Sequence, residues 1–210
     1  MSESRISRRQ ILKTAGALGV VGALSPSAAV LAGGENHLYR WDIIALSRGP
    51  GGAIVLSPGG TASAAAEDGS KITMKGSGTF RSNSGSPQAV TGGGTWSTTG
   101  PAGADSGTFE VSGFVDFDVA PGIAPSPPFQ DNITGEIQNA RAGLAVLQIE
   151  YSDGSDGVLA VSCHLPSGSP MSIFEGITAT KGFVGYWNHA EPVGGPDGVN
   201  ANRTQFHLIR

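Results

Sequence analysis

Cys163 and His164 are the neighbours in this 210-residue chain that most invite a nucleophilic reading, because a thiolate attacks only when a base or cation lies beside it. On a strand, successive side chains point to opposite faces, so these two cannot pair with each other. Cys163 shares its side with Leu159, Val161 and Leu165, which predicts a buried, inert thiol. His164 then stands as an acid–base or polar-contact candidate, and Glu175 joins it from the aromatic-rich segment Phe174 to His189. That segment ends in Tyr186, Trp187 and His189, rings with polar tips that suit the rim of a ligand site and equally suit a hydrophobic plug. The candidate catalytic residues are His164 and Glu175, either one as general base. The candidate ligand contacts are Trp41, Tyr186 and Trp187 as ring walls, with Arg40, Asp116, His164 and Glu175 as polar selectors.

Other chemistries find less support. The four histidines, His37, His164, His189 and His207, show no familiar zinc spacing; His164 could converge with Glu150 and Asp116 inside a lumen, or all three could lie on an exposed polar face. No metal site and no cofactor are expected from the residues. Asp153-Gly-Ser-Asp156-Gly is short for a calcium loop and reads as a hairpin turn. The glycine runs at Gly51-Gly52 and Gly92 to Gly94 lack the following helix and the Lys-Ser/Thr pair of a phosphate cradle, and no Gly-x-Ser-x-Gly elbow is complete. Asn132-Ile-Thr134 and Asn202-Arg-Thr204 match glycosylation acceptors.

The elements that must position these residues are strands. With 33 Gly and 13 Pro, 46 of 210 residues disfavour helix interiors, which excludes bundles and coiled coils. A charged fraction of 14 % and a hydrophobic fraction of 39 % exclude a highly charged disordered tail and a polytopic membrane protein. Alternation places Phe109, Val111, Val115, Phe117 and Val119 on one face, with Phe114 the exception; Ala145, Leu147, Ile149 and Tyr151 on a second; and Leu159, Val161, Cys163 and Leu165 on a third. Asp-Gly between the last two predicts a hairpin. Further strands are predicted at His37 to Leu46, Ala53 to Leu56, Lys71 to Phe80, Ala89 to Ser97, Ile173 to Trp187 and Thr204 to Ile209. The proline-rich stretch Ala120 to Phe129 reads as an ordered loop, and a short helical turn fits Asn132 to Ala140. The expected fold is all-β: a single antiparallel, up-and-down, calycin-like β-barrel over residues 33–210, with a two-sheet β-sandwich as the alternative.

Ser7-Arg8-Arg9-Gln10-Ile11-Leu12-Lys13 precedes an apolar run of about ten residues, Ala15 to Leu24, and then small residues suited to a peptidase. About 20 apolar residues are needed to span a bilayer, so no stable membrane insertion is expected once the segment is removed. The order of residues resembles a twin-arginine export signal covering residues 1–32, cleaved after Ala29 or Ala32, which implies a periplasmic or extracellular destination. That route, as the resemblance implies, carries chains already folded. Removing Arg5, Arg8, Arg9, Lys13 and Glu3 leaves 9 basic and 16 acidic residues, a net charge near 9 − 16 = −7, which argues against a nucleic-acid partner. The lone Cys163 cannot form an internal disulfide, so stability must come from the core.

A short echo recurs at Gly76-Ser-Gly-Thr79-Phe80, Gly92-Gly-Gly-Thr95-Trp96 and Asp105-Ser-Gly-Thr108-Phe109, and its glycines are expected to let a closing sheet bulge or bend. Over residues 71–119 this pattern resembles the dirigent and allene oxide cyclase type of β-barrel, whose members bind small hydrophobic molecules in the lumen and in some cases steer cyclisation without a cofactor. None of their functional residues maps onto this chain. The expected function is binding of a small, mainly apolar molecule in a barrel lumen or mouth. The alternatives are a cofactor-free isomerase, cyclase or lyase on the same barrel and a structural extracellular protein, with oligomerisation open in each case.

Overall fold

The computed structural model describes residues 36–82, 89–101, 103–126, 128–193 and 198–209. The export segment and both cleavage candidates lie outside the described residues. Thirteen strands are present among them, all in one sheet rather than two. They are β1 (Leu38–Arg48), β2 (Ile54–Pro58), β3 (Ala62–Ala65), β4 (Lys71–Arg81), β5 (Val90–Thr99), β6 (Asp105–Ala120) and β7 (Phe129–Asp131). The second half supplies β8 (Ala140–Tyr151), β9 (Asp156–Cys163), β10 (Gly176–Lys181), β11 (Val184–Tyr186), β12 (Asn188–His189) and β13 (Gly198–Leu208). No described helix is long and apolar enough to cross a membrane.

The main path runs β11-β10-β9-β8-β6-β5-β4-β1-β2-β7, antiparallel except for the parallel pair β2–β7. The last strand, β13, pairs with β1 from Tyr39↔Leu208 to Leu46↔Gly198 and reaches β8 at only two positions, Phe206↔Arg141 and His207↔Ala140. The result is a partial ring of β1, β4, β5, β6, β8 and β13. β2 and β3 leave it as side excursions, so the order is not a simple up-and-down one.

The alternation of β8 and β9 is realised as read: Ala145, Leu147, Ile149, Tyr151, Leu159, Val161 and Cys163 are all buried, and the two strands form a hairpin whose turn holds Gly154 at φ 85°. β6 departs from the expectation. Its register against β8 shifts between Val111 and Gly113 and again between Phe114 and Asp116. Each extra residue flips the pleat. Phe114 therefore turns inward and stacks on Phe80 at 5.1 Å, while Val115 is 53 % exposed. The segment Ile173 to Trp187 is likewise not one strand but the hairpin β10–β11, turning at Gly182 with φ 55°. The helical turn near Asn132 to Ala140 is a single 3-10 turn, Ile137–Asn139.

Side chains fill the ring. Tyr39, Phe80, Phe114, Phe117 and Phe206 form a continuous aromatic cluster, with Phe117 4.8 Å from each of Tyr39, Phe80 and Phe206. The glycines of the echo serve this packing rather than a bulge, since β4 and β5 pair without interruption from Lys71↔Thr99 to Phe80↔Val90. Trp41, fully buried on neighbouring β1, lies against Gly78 and Gly92: a Cβ on Gly78 would come 2.1 Å from the Thr91 carbonyl oxygen and 2.7 Å from Trp41 Nε1, and one on Gly92 2.7 Å from the Ser77 carbonyl oxygen and 3.1 Å from Trp41 Cζ2. Only glycine leaves room for the indole there.

Candidate functional site

Because side chains alternate along β1, Trp41 and Ile43 point into the core while Arg40, Asp42 and Ile44 point away from it. The facing residues of β13 divide in the same way, with Phe206 inward and Arg203, Gln205 and His207 outward. β2, β7 and the loop before β7 cover this second face, and they leave a cavity of about 300 Å³. Its apolar walls are Ile44 and Leu46 of β1, Ile54 and Leu56 of β2, Pro125 and Phe129. Its polar lining residues are His164, Glu175, Arg203, Thr204 and Gln205.

Glu175 sits just before β10 and is held from two directions. Its Oε2 accepts the His164 N–H at 2.6 Å and its Oε1 accepts the Thr204 N–H at 2.7 Å. The chain around it is pinned by Ser162, whose hydroxyl donates to the Phe174 carbonyl at 2.7 Å, and by Thr204, whose hydroxyl donates to the Ser162 carbonyl at 2.5 Å. Burial pushes the Glu175 carboxyl up to about 7, although the two amides and the Arg203 charge act against that rise. Cys163 is 1 % exposed, and burial together with the nearby Glu175 pushes its thiol up, which makes it inert as expected. Two nitrogens in this cavity's lining, His164 Nε2 and Arg203 Nε, are buried without a hydrogen-bond partner among the described residues.

Further along the same outer face lies a charged cluster. Arg40 donates from Nε and Nη2 to both oxygens of Asp42, at 2.7 and 2.8 Å, and Asp42 is fully buried. Burial raises the Asp42 carboxyl despite this fork. His207, also fully buried, lies with Nε2 3.2 Å from Asp131 Oδ2 but off the hydrogen-bond line. Burial lowers the His207 pKa, and Asp131 opposes that shift. Asp131 accepts the Ile133 and Thr134 amides and the Thr134 hydroxyl; burial raises its pKa, but these bonds and His207 outweigh it and leave it lowered. Asp131 therefore closes the turn that follows β7 and lies against His207 of β13.

Of the residues singled out from sequence, His164 and Glu175 meet in one cavity, bonded through the His164 amide. The others do not line it. Arg40 is taken up by Asp42, Trp41 and Tyr186 are in the core, and Asp116 is exposed on β6 with its Oδ1 on the Phe117 amide. Trp187 is 60 % exposed and covers Gly185. Glu150 is also exposed, and no group of three potential metal ligands gathers among the described residues. Asp153 serves the hairpin turn, accepting the Ser155 amide and hydroxyl and pairing with Lys181. Sequence reading passed over Arg203, Gln205, Asp131 and His207 as site residues. The available signal was the outward alternation Arg203, Gln205, His207 on the last strand.

Residues 5–25 match the TAT (twin-arginine translocation) pathway signal sequence, which implies export by that pathway. No curated protein and no solved structure matches the chain. The likeness of residues 71–119 to dirigent and allene oxide cyclase barrels therefore finds no support, and no family identifies the part that follows the signal.

Proposed function

We propose that the exported chain binds a small, mainly apolar molecule in the cavity between β1, β2 and β13, not in the interior of the ring. The observation that carries this reading is the contrast between a ring filled by aromatic side chains and a cavity of about 300 Å³ whose lining is mostly apolar and includes His164, Glu175 and Arg203. That volume lies at the lower bound for small-molecule sites, about 300 Å³. Binding of nucleic acid is disfavoured by a net charge near −7 once the signal's residues are removed. The test is native mass spectrometry of protein exported by its own signal, alongside Leu56→Trp, which places an indole in the cavity. An added mass lost on denaturation and missing from Leu56→Trp supports the reading. An identical added mass in both proteins, or a bare chain that also takes up no apolar compound, overturns it.

A second reading has one observation of its own. A carboxyl that titrates near 7 in a cavity beside His164 is poised as a general base for a cofactor-free isomerase, cyclase or lyase. Under that reading the released mass is recovered as a chemically altered compound, and Glu175→Gln retains binding while losing conversion.

A further inference from the structure

We infer that the molecule held in this cavity carries an acidic head, a carboxylate or sulfonate, seated against Arg203 and His164 with its apolar body along Ile44, Leu56 and Phe129. This rests on the binding proposal above and adds the chemical class of the ligand. A buried donor without an acceptor is costly, and more so when it is charged. The Arg203 guanidinium bears such a donor at Nε, and His164 Nε2 is likewise buried and unpartnered. Those two nitrogens have no accessible surface of their own, but both residues line the cavity and Arg203 is the one cationic side chain of that lining, so an acidic head arriving there is drawn to its guanidinium. An arginine admits no cationic head at that position, and a carboxylate takes its donors in charge-assisted bonds.

Glu175 is the one acid in the cavity lining, and it fits this assignment only in one protonation state. Each of its oxygens already accepts a backbone amide, and burial holds its proton to near neutral pH. The groups that face it are Cys163 and His164 at the end of β9 and Arg203 and Thr204 on β13. An ionised Glu175 repels an anionic head, whereas a protonated one does not. Binding of the anion therefore draws a proton onto Glu175, and affinity falls as pH rises through about 7.

The experiment is isothermal calorimetry on the exported protein with three compounds of one shape, 4-butylbenzoate, 4-butylbenzamide and 4-butylbenzylamine, at pH 6 and pH 8. The expected result at pH 6 is a benzoate affinity at least about tenfold above that of the amide, with no uptake of the amine. The benzoate affinity drops severalfold at pH 8 while the amide affinity stays level, and Arg203→Met reduces benzoate to the amide's level. Amide binding equal to or tighter than benzoate overturns the acidic head and leaves the cavity reading intact. Benzoate binding untouched by a folded Arg203→Met also overturns it. Uptake of none of the three compounds defeats both the head-group assignment and the binding proposal. The acid–amide comparison needs no variant, so it stands even where Arg203→Met fails to fold.

Discussion

The two faces of the β1–β13 ribbon are built from alternate residues of the same strands, yet they differ in kind. Inward, Tyr39, Trp41, Ile43 and Phe206 join an apolar cluster in which rings pack 4.8 to 6.2 Å apart. Outward, Asp42, Gln205 and His207 are nearly as deeply buried while Arg40 is partly exposed, and the cavity opens beside them. Burying apolar surface stabilises by about 25 cal/mol per Å². Burying charges costs several kcal/mol per ion before pairing returns part of it. An apolar outer face would hold β2 and β7 at least as firmly as the charged one does. The inner face is thus the source of stability, and the outer face carries groups that stability alone does not require.

Removing an inner ring puts that division to its harshest test. Phe206→Ala deletes a fully buried side chain in contact with Phe80 and Phe117, and the expected loss is about 3–5 kcal/mol. Urea unfolding followed by circular dichroism measures it. A loss below about 1 kcal/mol would mean that the ring interior is loosely filled and that the contrast between the faces is false.

The outer face should show itself through pH. The Glu175 carboxyl is raised from 4.5 to about 7 on folding, so the folded state binds this proton more tightly than the unfolded chain does. Its contribution to stability is fully present below pH 4.5 and is lost as pH rises through 7, a change of about 3 kcal/mol at 1.36 kcal/mol per unit. Asp131, held low, and His207, lowered by burial from 6.5, act in the opposite sense, Asp131 in the acid range and His207 as pH falls below 6.5. Unfolding of the ligand-free protein at pH 4.5, 6 and 8 should show this fall, and Glu175→Gln should flatten it. Glutamine leaves one of the two amides without an acceptor, so the variant is also less stable at every pH. A pH dependence that Glu175→Gln leaves unchanged would show that Glu175 is solvated rather than buried, since the His207 contribution is common to both proteins.

How much of this was legible beforehand varied with the physics of each element. Where a strand pairs without interruption, as in β8 and β9, alternation gave the buried face residue by residue. In β6 two bulges reset the pleat, and the break in alternation at Phe114 is the sign of them that Phe109 to Val119 carries. β3, Ala-Ser-Ala-Ala, carries no β-branched or aromatic residue and is a strand because β4 and β12 flank it. His164 and Glu175 could be named from their types. Their meeting depends on a backbone amide eleven residues away in the chain, and spacing does not encode it. Arg40 and Trp41 were read into one site although neighbours on a strand face opposite ways, and the structure separates them accordingly.

Trp187 offers the finest test of the comparison. Its type and its place beside Tyr186 made it a ligand wall from sequence, whereas in the structure it is 60 % exposed, covers Gly185 and lies outside the cavity lining. Surface substitutions away from special features change stability by about 0.5 kcal/mol or less. Trp187→Ala should therefore leave both urea stability and 4-butylbenzoate affinity within about twofold of wild type, while Leu56→Trp loses binding. A tenfold loss in Trp187→Ala would move the ligand to the β11–β12 rim. The cationic Arg203 in the cavity lining would then need another explanation, and the outer face of the β1–β13 ribbon would lose its claim to be the working surface of the molecule.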